Sequence, residues 1–193
     1  MKNTLMIDLE TTGQRVGCKV LSLGAFGFDR GGNQVEFYRR FAIEPQEEAG
    51  LTDDQSTMQW WEHQDPAARA EAFGGTTDPA TGLGEFKQWF LENFSTGKFD
   101  GFRVWSCGLD FDFPILQNFM QTFGYNFPWF FWNQYDYRTI KNLFPAIKAD
   151  EGNIAKHTAL EDAKAQMRGL RSFYDRLSSM RKAMDNAGLE RIL

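Results

Sequence analysis

Short apolar runs rich in strand formers occupy residues 4–9, 19–28 and 34–43, and Gly13, Gly17 and an Asp29-Arg30-Gly31-Gly32-Asn33 turn separate them. This punctuation predicts a three-stranded antiparallel meander. Residues 53–73 are polar and aromatic with helical character, and the Gly-Gly-Thr-Thr-Asp-Pro run that follows must be a loop. A helix over residues 80–94 follows from the apolar spacing of Leu83, Phe86, Phe90 and Phe94. Next come an apolar strand at 102–107, a helix at 113–123 with Ile115, Leu116, Phe119 and Phe123 on one side, and a short strand at 129–132. A helix from residue 137 ends at Pro145, a polar loop runs to 156, and a last long helix turns Leu160, Ala163, Met167, Leu170, Phe173 and Leu177 inward. Three antiparallel strands followed by strand-helix units predict an α/β fold, a mixed sheet with helices on both faces. The expectation is one domain over residues 1–193, with 178–193 a C-terminal helical extension.

Composition supports this reading. A chain of 193 residues with 42% hydrophobic and 24% charged positions is long enough to bury one proper core. Its 19 Phe and 6 Trp predict a core of large rings with some left to stack on a ligand. Cys18 and Cys107 have no zinc-like spacing around them and read as reduced thiols. The N-terminal apolar run meets Asp8 and Glu10 too early for a signal peptide or a membrane span, so a cytoplasmic protein without a membrane partner is expected. The net charge of -5 argues at first against nucleic acid, yet it is unevenly spread. Residues 1–137 hold 10 basic against 19 acidic side chains, whereas residues 138–193 hold 11 against 7.

Three places carry chemistry. In Ile7-Asp8-Leu9-Glu10 both carboxylates leave one face of a strand and both apolar side chains the other. About one Asp-x-Glu arises by chance among 26 acids, and an edge strand with a solvated face would explain it. Acids in a buried strand, however, are costly unless a metal or hydrogen bonds compensate them. In Gly108-Leu109-Asp110-Phe111-Asp112-Phe113-Pro114, proline belongs in a first helical turn, which puts Asp112 inward and leaves Asp110 in the turn; the competing role for Asp112 is an N-cap. In His157-Thr158-Ala159-Leu160-Glu161-Asp162, Thr158 and Glu161 form a capping box that starts the last helix at Ala159 and leaves His157 on the entering loop. An ordinary surface histidine and a surface acid are the plain alternatives.

Four convergent carboxylates would repel one another without cations, and hard oxygen ligands select Mg²⁺ or Mn²⁺. A pair of such ions about 3.5–4 Å apart is the recurring device for in-line displacement at phosphorus. Two of them would carry the formal charge from -5 to -1, so the acidic balance no longer excludes a nucleic-acid substrate.

The Asp8-Leu9-Glu10-Thr11-Thr12-Gly13, Phe111-Asp112 and His157/Asp162 segments resemble the three motifs of the DEDDh 3′–5′ exonucleases. That superfamily has the RNase H-like fold. The second motif departs from the usual Asn-x-x-Phe-Asp form in having Gly108 at the Asn position. Thr57-Met58-Gln59-Trp60-Trp61-Glu62-His63-Gln64 is similar to the RNase T-like branch, which includes the phage exodeoxyribonuclease A group. The resemblance implies two Mg²⁺ ions, with Mn²⁺ able to substitute. Asp8 would bridge them, Glu10 and Asp162 would hold the ion that activates water, and Asp112 would support the second. It implies His157 as general base, and Thr11, Thr12 and the backbone after Glu10 against the terminal nucleotide. The implied substrate is single-stranded nucleic acid with a free 3′ end, released as nucleoside 5′-monophosphates. DNA is slightly favoured and an exoribonuclease is the alternative.

Trp60, Trp61 and Phe111 are the aromatics expected to stack on bases, against the simpler reading that paired tryptophans belong to the core. Asp136 reads as an N-cap, and Lys164, Arg168 and Arg171 as either phosphate contacts or a solvated helix face. The 146–156 loop, with Gly152, reads as a mobile entry that orders His157 only with substrate and ions bound. An endonuclease would need no free 3′ end, a binding module would not need the acid set, and a Ca²⁺ store would need a ligand loop that is absent from the sequence. Oligomeric state is open, a homodimer included.

Overall fold

Strand β1 (Thr4–Thr11) lies in the middle of the sheet, and its alternation decides what each face becomes. Leu5, Ile7 and Leu9 enter one core and Met6 enters the other, as the two-residue period of a strand requires. β1 pairs antiparallel with β2 (Val20–Phe28), and β2 with β3 (Gln34–Arg40). On the other side β4 (Arg103–Ser106) runs parallel to β1 and β5 (Gln134–Asp136) parallel to β4, giving the order β3-β2-β1-β4-β5. This is the mixed α/β sheet expected from the sequence. The computed structural model describes residues 1–94, 97, 101–145 and 158–186.

Helices α1 (Glu44–Glu48), α2 (Gln55–Glu62), α3 (Pro66–Phe73), α4 (Pro79–Asn93), α5 (Asp112–Thr122), α6 (Tyr137–Leu143) and α7 (Ala159–Asn186) complete the described fold. On the Leu5 face, Leu83, Phe86 and Phe90 of α4 meet Ile115, Leu116 and Phe119 of α5. Burying each such side chain contributes roughly 1.5–3 kcal/mol. Here the rings pack edge-on and tilted: Phe90 lies 5.1 Å from Trp129 and 5.2 Å from Phe102, centroid to centroid. On the Met6 face, Tyr137 of α6 and Ala163, Met167 and Leu170 of α7 enclose Trp105 and Phe28. Beyond residue 177, α7 is almost wholly exposed. No described helix is long and apolar enough to cross a membrane.

Several local expectations need correction. The strand expected at 129–132 is displaced: Phe131–Asn133 form a 3₁₀ turn, and β5 begins only at Gln134. Asn133 decides this, because its carboxamide accepts from the Phe130 amide and donates to the Phe102 carbonyl, closing the turn against the start of β4. β3 ends at Arg40 rather than 43, since Phe41 bridges to Thr77 and Pro45 opens α1, a helix the apolar pattern did not announce. The 53–73 stretch divides at Asp65, whose carboxylate accepts from the Ala67 and Ala68 amides and starts α3. The last helix does start at Ala159, but without the capping box. Thr158 Oγ1 is buried with no hydrogen-bond partner among the described residues, and Glu161 pairs instead with Lys164. Lys164 also reaches Glu36 at 2.9 Å, tying α7 to β3 rather than standing free for phosphate.

One glycine sets the height of α7 above the sheet. Gly24 of β2 lies directly opposite Asp8, and a Cβ there would overlap the Ala159 carbonyl group. The first turn of α7 can therefore rest on the sheet beside the acidic end of β1. We expect Gly24→Ala to lower stability by about 1–3 kcal/mol through overpacking, and to weaken divalent-cation binding as α7 lifts. Urea unfolding and the Mg²⁺-dependent rise in Tm measure the two effects; an unchanged Mg²⁺ response would mean that α7 position does not govern the acids.

Candidate active site

Asp8 and Glu10 leave β1 on the α7 side, opposite Ile7 and Leu9. A register shift between Glu10 and Thr11 marks a bulge there, a device that re-aims the chain beside a site. Asp162, in the first turns of α7, completes a group whose carboxylate oxygens on Asp8, Glu10 and Asp162 lie within 4.8 Å of one another. Asp112 adjoins this group without belonging to it. It opens α5 while the Phe111 and Asp112 amides both donate to the Gly108 carbonyl, and it is 3% exposed. It is not the N-cap, a position that Phe111 takes without a side-chain bond.

The electrostatics follow from that crowding. Burial first, then repulsion from Asp112, Glu10 and Asp162, holds the Asp8 carboxyl well above the usual carboxylate range. Burial followed by Asp162 and Asp112 pushes Glu10 to about 8. Burial takes Asp112 to about 7, while the Leu9 backbone and the charge of Arg138 hold it down. An all-oxygen donor set whose members repel one another fits a hard divalent cation. Asp8, Glu10 and Asp162 would hold such an ion directly.

Sequence reasoning missed Gln166. It stands one turn beyond Asp162 on α7, and its Nε2 donates to Asp8 Oδ1 at 2.7 Å, fixing the carboxylate. Its Oε1 is buried and has no partner among the described residues. The only available signal was the spacing of four from Asp162.

A cleft of about 760 Å³ opens from Glu10, bounded by Leu9, Thr11, Trp60, Phe111 and Arg138. The volume falls in the range of small-molecule sites. Phe111 is half-buried at its wall, as a stacking residue could be. Trp61 is 1% exposed and its indole N–H donates to the Thr11 carbonyl, so it buttresses the strand end rather than stacking on a base. Trp60, 45% exposed at the cleft wall, has the exposure that role needs. The Thr11 hydroxyl donates to the Gly13 carbonyl, and that of Thr12, buried, to Thr52. Both hydroxyls shape the turn after β1, and the Thr12 side chain does not face the cleft as expected. Asp136 is the N-cap of α6, accepting from the Arg138 and Thr139 amides. Arg171 lies over the Phe28 ring and near Asp175. His157 and the 146–156 loop lie outside the described residues.

Residues 3–173 match the domain family described as Rv2179c-like 3'-5' exoribonuclease. The chain belongs to this family. An exodeoxyribonuclease of Enterobacteria phage T4 is 30% identical, with 69% of this chain and 68% of the phage protein covered. The fold is similar to that of E. coli exonuclease I in complex with a 5cy-dA13 oligonucleotide (TM-score 0.59, 12% identity, 88% of this chain and 39% of that one). It is also similar to cell-death related nuclease 4, CRN-4 (TM-score 0.60, 16% identity, 92% of this chain and 64% of that one). The chain thus spans about two fifths of the length of exonuclease I. As a member of the Rv2179c-like family it is one of the 3′–5′ exonucleases of the DEDDh kind.

The raised carboxyls give this Rv2179c-like domain a pH signature. A folded pKa above the unfolded one means that the folded state holds more protons, so stability falls as pH rises. For Glu10 the window runs from 4.5 to about 8. Metal-free protein should therefore lose Tm between pH 5.5 and 8, and Mg²⁺ should restore more at pH 8 than at pH 6. Asp162→Asn should raise the metal-free Tm at pH 8 by several degrees, on the order of 2–4 °C per kcal/mol relieved, and remove the Mg²⁺ response. Scanning calorimetry with and without Mg²⁺ reads both; a flat metal-free profile would contradict the repulsion.

Proposed function

We propose that the protein is a metal-dependent exonuclease that shortens single-stranded nucleic acid from a free 3′ end, DNA in preference to RNA. The observation that carries this reading is the convergence of Asp8, Glu10 and Asp162 within 4.8 Å, with Asp112 adjoining, at one end of a nucleotide-sized cleft. The phage exodeoxyribonuclease and the complexes of exonuclease I with dA13 and dT13 oligonucleotides favour DNA. The description of the family as an exoribonuclease supports RNA as the second reading.

Asp8 would bridge two Mg²⁺ ions, Glu10 and Asp162 would hold one of them and Asp112 would support the other, with Mn²⁺ able to replace Mg²⁺. When bound, such ions offset the charge that develops on the attacking and departing oxygens of an in-line displacement. Gln166 keeps the Asp8 carboxylate oriented. Trp60 and Phe111 offer surfaces to the terminal base. Thr11, with its side chain tied to Gly13, offers backbone to the same nucleotide. His157 accepts a proton from water as the water oxygen bonds to phosphorus; the bond to the 3′ oxygen of the preceding nucleotide breaks, that oxygen keeps the electron pair and takes a proton from solvent to become the new 3′ hydroxyl, and a nucleoside 5′-monophosphate leaves.

The test uses 5′-labelled single-stranded DNA and RNA of one sequence, with Mg²⁺ or Mn²⁺. We expect a ladder that shortens from the 3′ end, faster on DNA, and none with Asp8→Ala or a 3′-blocked strand. His157→Ala should slow the reaction by about 10²–10⁴-fold while the Mg²⁺-dependent Tm rise survives. Cleavage of a circular strand would assign an endonuclease, and faster RNA trimming would assign the second reading.

A further inference from the structure

The cleft beside the acids has an electrostatic problem. Glu10 and Asp110 line it, and the proposed substrate brings a negative phosphate at every nucleotide. Arg138 is the one cation among the described residues that line it. Its place is specified in detail. Asp136 caps α6 by accepting from the Arg138 and Thr139 amides, which occupies the first turn with a carboxylate and leaves anion binding to the side chain. One guanidinium nitrogen, Nη2, donates to the Cys107 carbonyl at 2.7 Å.

That position depends on a missing side chain. Gly108 has φ +143, and a Cβ built on it would come 3.0 Å from Arg138 Nη2. A glycine there both permits the backbone turn and clears the path of the guanidinium. Arg138 forms no carboxylate ion pair among the described residues, although its charge is felt by Asp112. Beyond the N–H that Cys107 takes, the guanidinium has further donors with which to form the paired bonds that suit a phosphate.

We infer that Arg138, admitted to the cleft by Gly108, is a phosphate-binding residue that holds a backbone phosphate of the strand next to the carboxylate group. The inference rests on the exonuclease reading and adds a residue to it. Arg138 offsets Glu10 and Asp110 where the strand enters, and its bond to Cys107 limits how far the guanidinium can wander. Lysine could supply the charge but not the flat two-point contact.

The measurement is anisotropy of a 5′-fluorescein dT10 strand against salt, in Ca²⁺, with a gel to verify that the strand stays intact. For a single strand, each phosphate contact contributes about 0.7 to the slope of log K against log salt. Arg138→Ala should weaken binding by about ten- to a hundredfold and lower the slope by about 0.7. Arg138→Lys should keep the slope and regain part of the affinity. Gly108→Ala should weaken binding in the wild-type background and add little in Arg138→Ala; if it fails to fold, the two Arg138 variants decide alone. An unchanged slope in Arg138→Ala overturns the inference even if affinity drops, because a loop-bracing role would do that. A wild-type protein that degrades DNA while Arg138→Ala keeps its slope leaves the exonuclease reading standing. Wild-type protein that neither binds nor cleaves any strand overturns both.

Discussion

Mutual repulsion among half-buried carboxylates is the constraint around which this fold is arranged. Asp8, Glu10 and Asp162 share a space of 4.8 Å, and Asp112 stands close enough to raise the first two. Charges so placed are tolerated only where something else fixes the chain and something else offsets the charge. The protein supplies the first itself. A divalent cation is the natural source of the second, which is why the same acids are a burden when metal-free and a binding site when charged.

Rigidity comes from both faces of one central strand. Below β1, the rings of Phe86, Phe90, Phe102 and Trp129 form a close-packed floor, and above it Met167 and Leu170 clamp α7 to Met6. Gly24 lets that helix settle low enough for Asp162 to reach Asp8. Gln166 then holds the Asp8 carboxylate, while Trp61 braces the end of β1 through the Thr11 carbonyl. None of these residues carries out the chemistry, yet each removes a freedom that the repulsion would otherwise exploit.

The uneven charge along the chain acquires a spatial meaning. Part of the acidic excess is concentrated in one group of carboxylates that fits a cation, and among the described basic residues of the last quarter Arg138 reaches the cleft, whereas Lys164 is spent on Glu36 and Glu161. Net charge alone would have pointed away from a nucleic-acid substrate. What matters is which charges face the cleft.

Much of this was legible in the residue order. Period-two alternation in β1 placed Asp8 and Glu10 on one face, Pro114 located the start of α5, and the long apolar repeat of α7 fixed the inward turn of Met167 and Leu170. These are consequences of local geometry, so a sequence is sufficient to read them. The rest depends on contacts distant in the chain. Asn133 ended one strand reading through the Phe102 carbonyl, Thr158 lost its cap by being buried, Gln166 found Asp8 across 158 positions, and Trp61 rather than Trp60 was the tryptophan enclosed. Periodicity assigns a face to each side chain. Only the folded chain decides what lies opposite that face, because partner identity is set by how sheets and helices stack, and no local pattern encodes it.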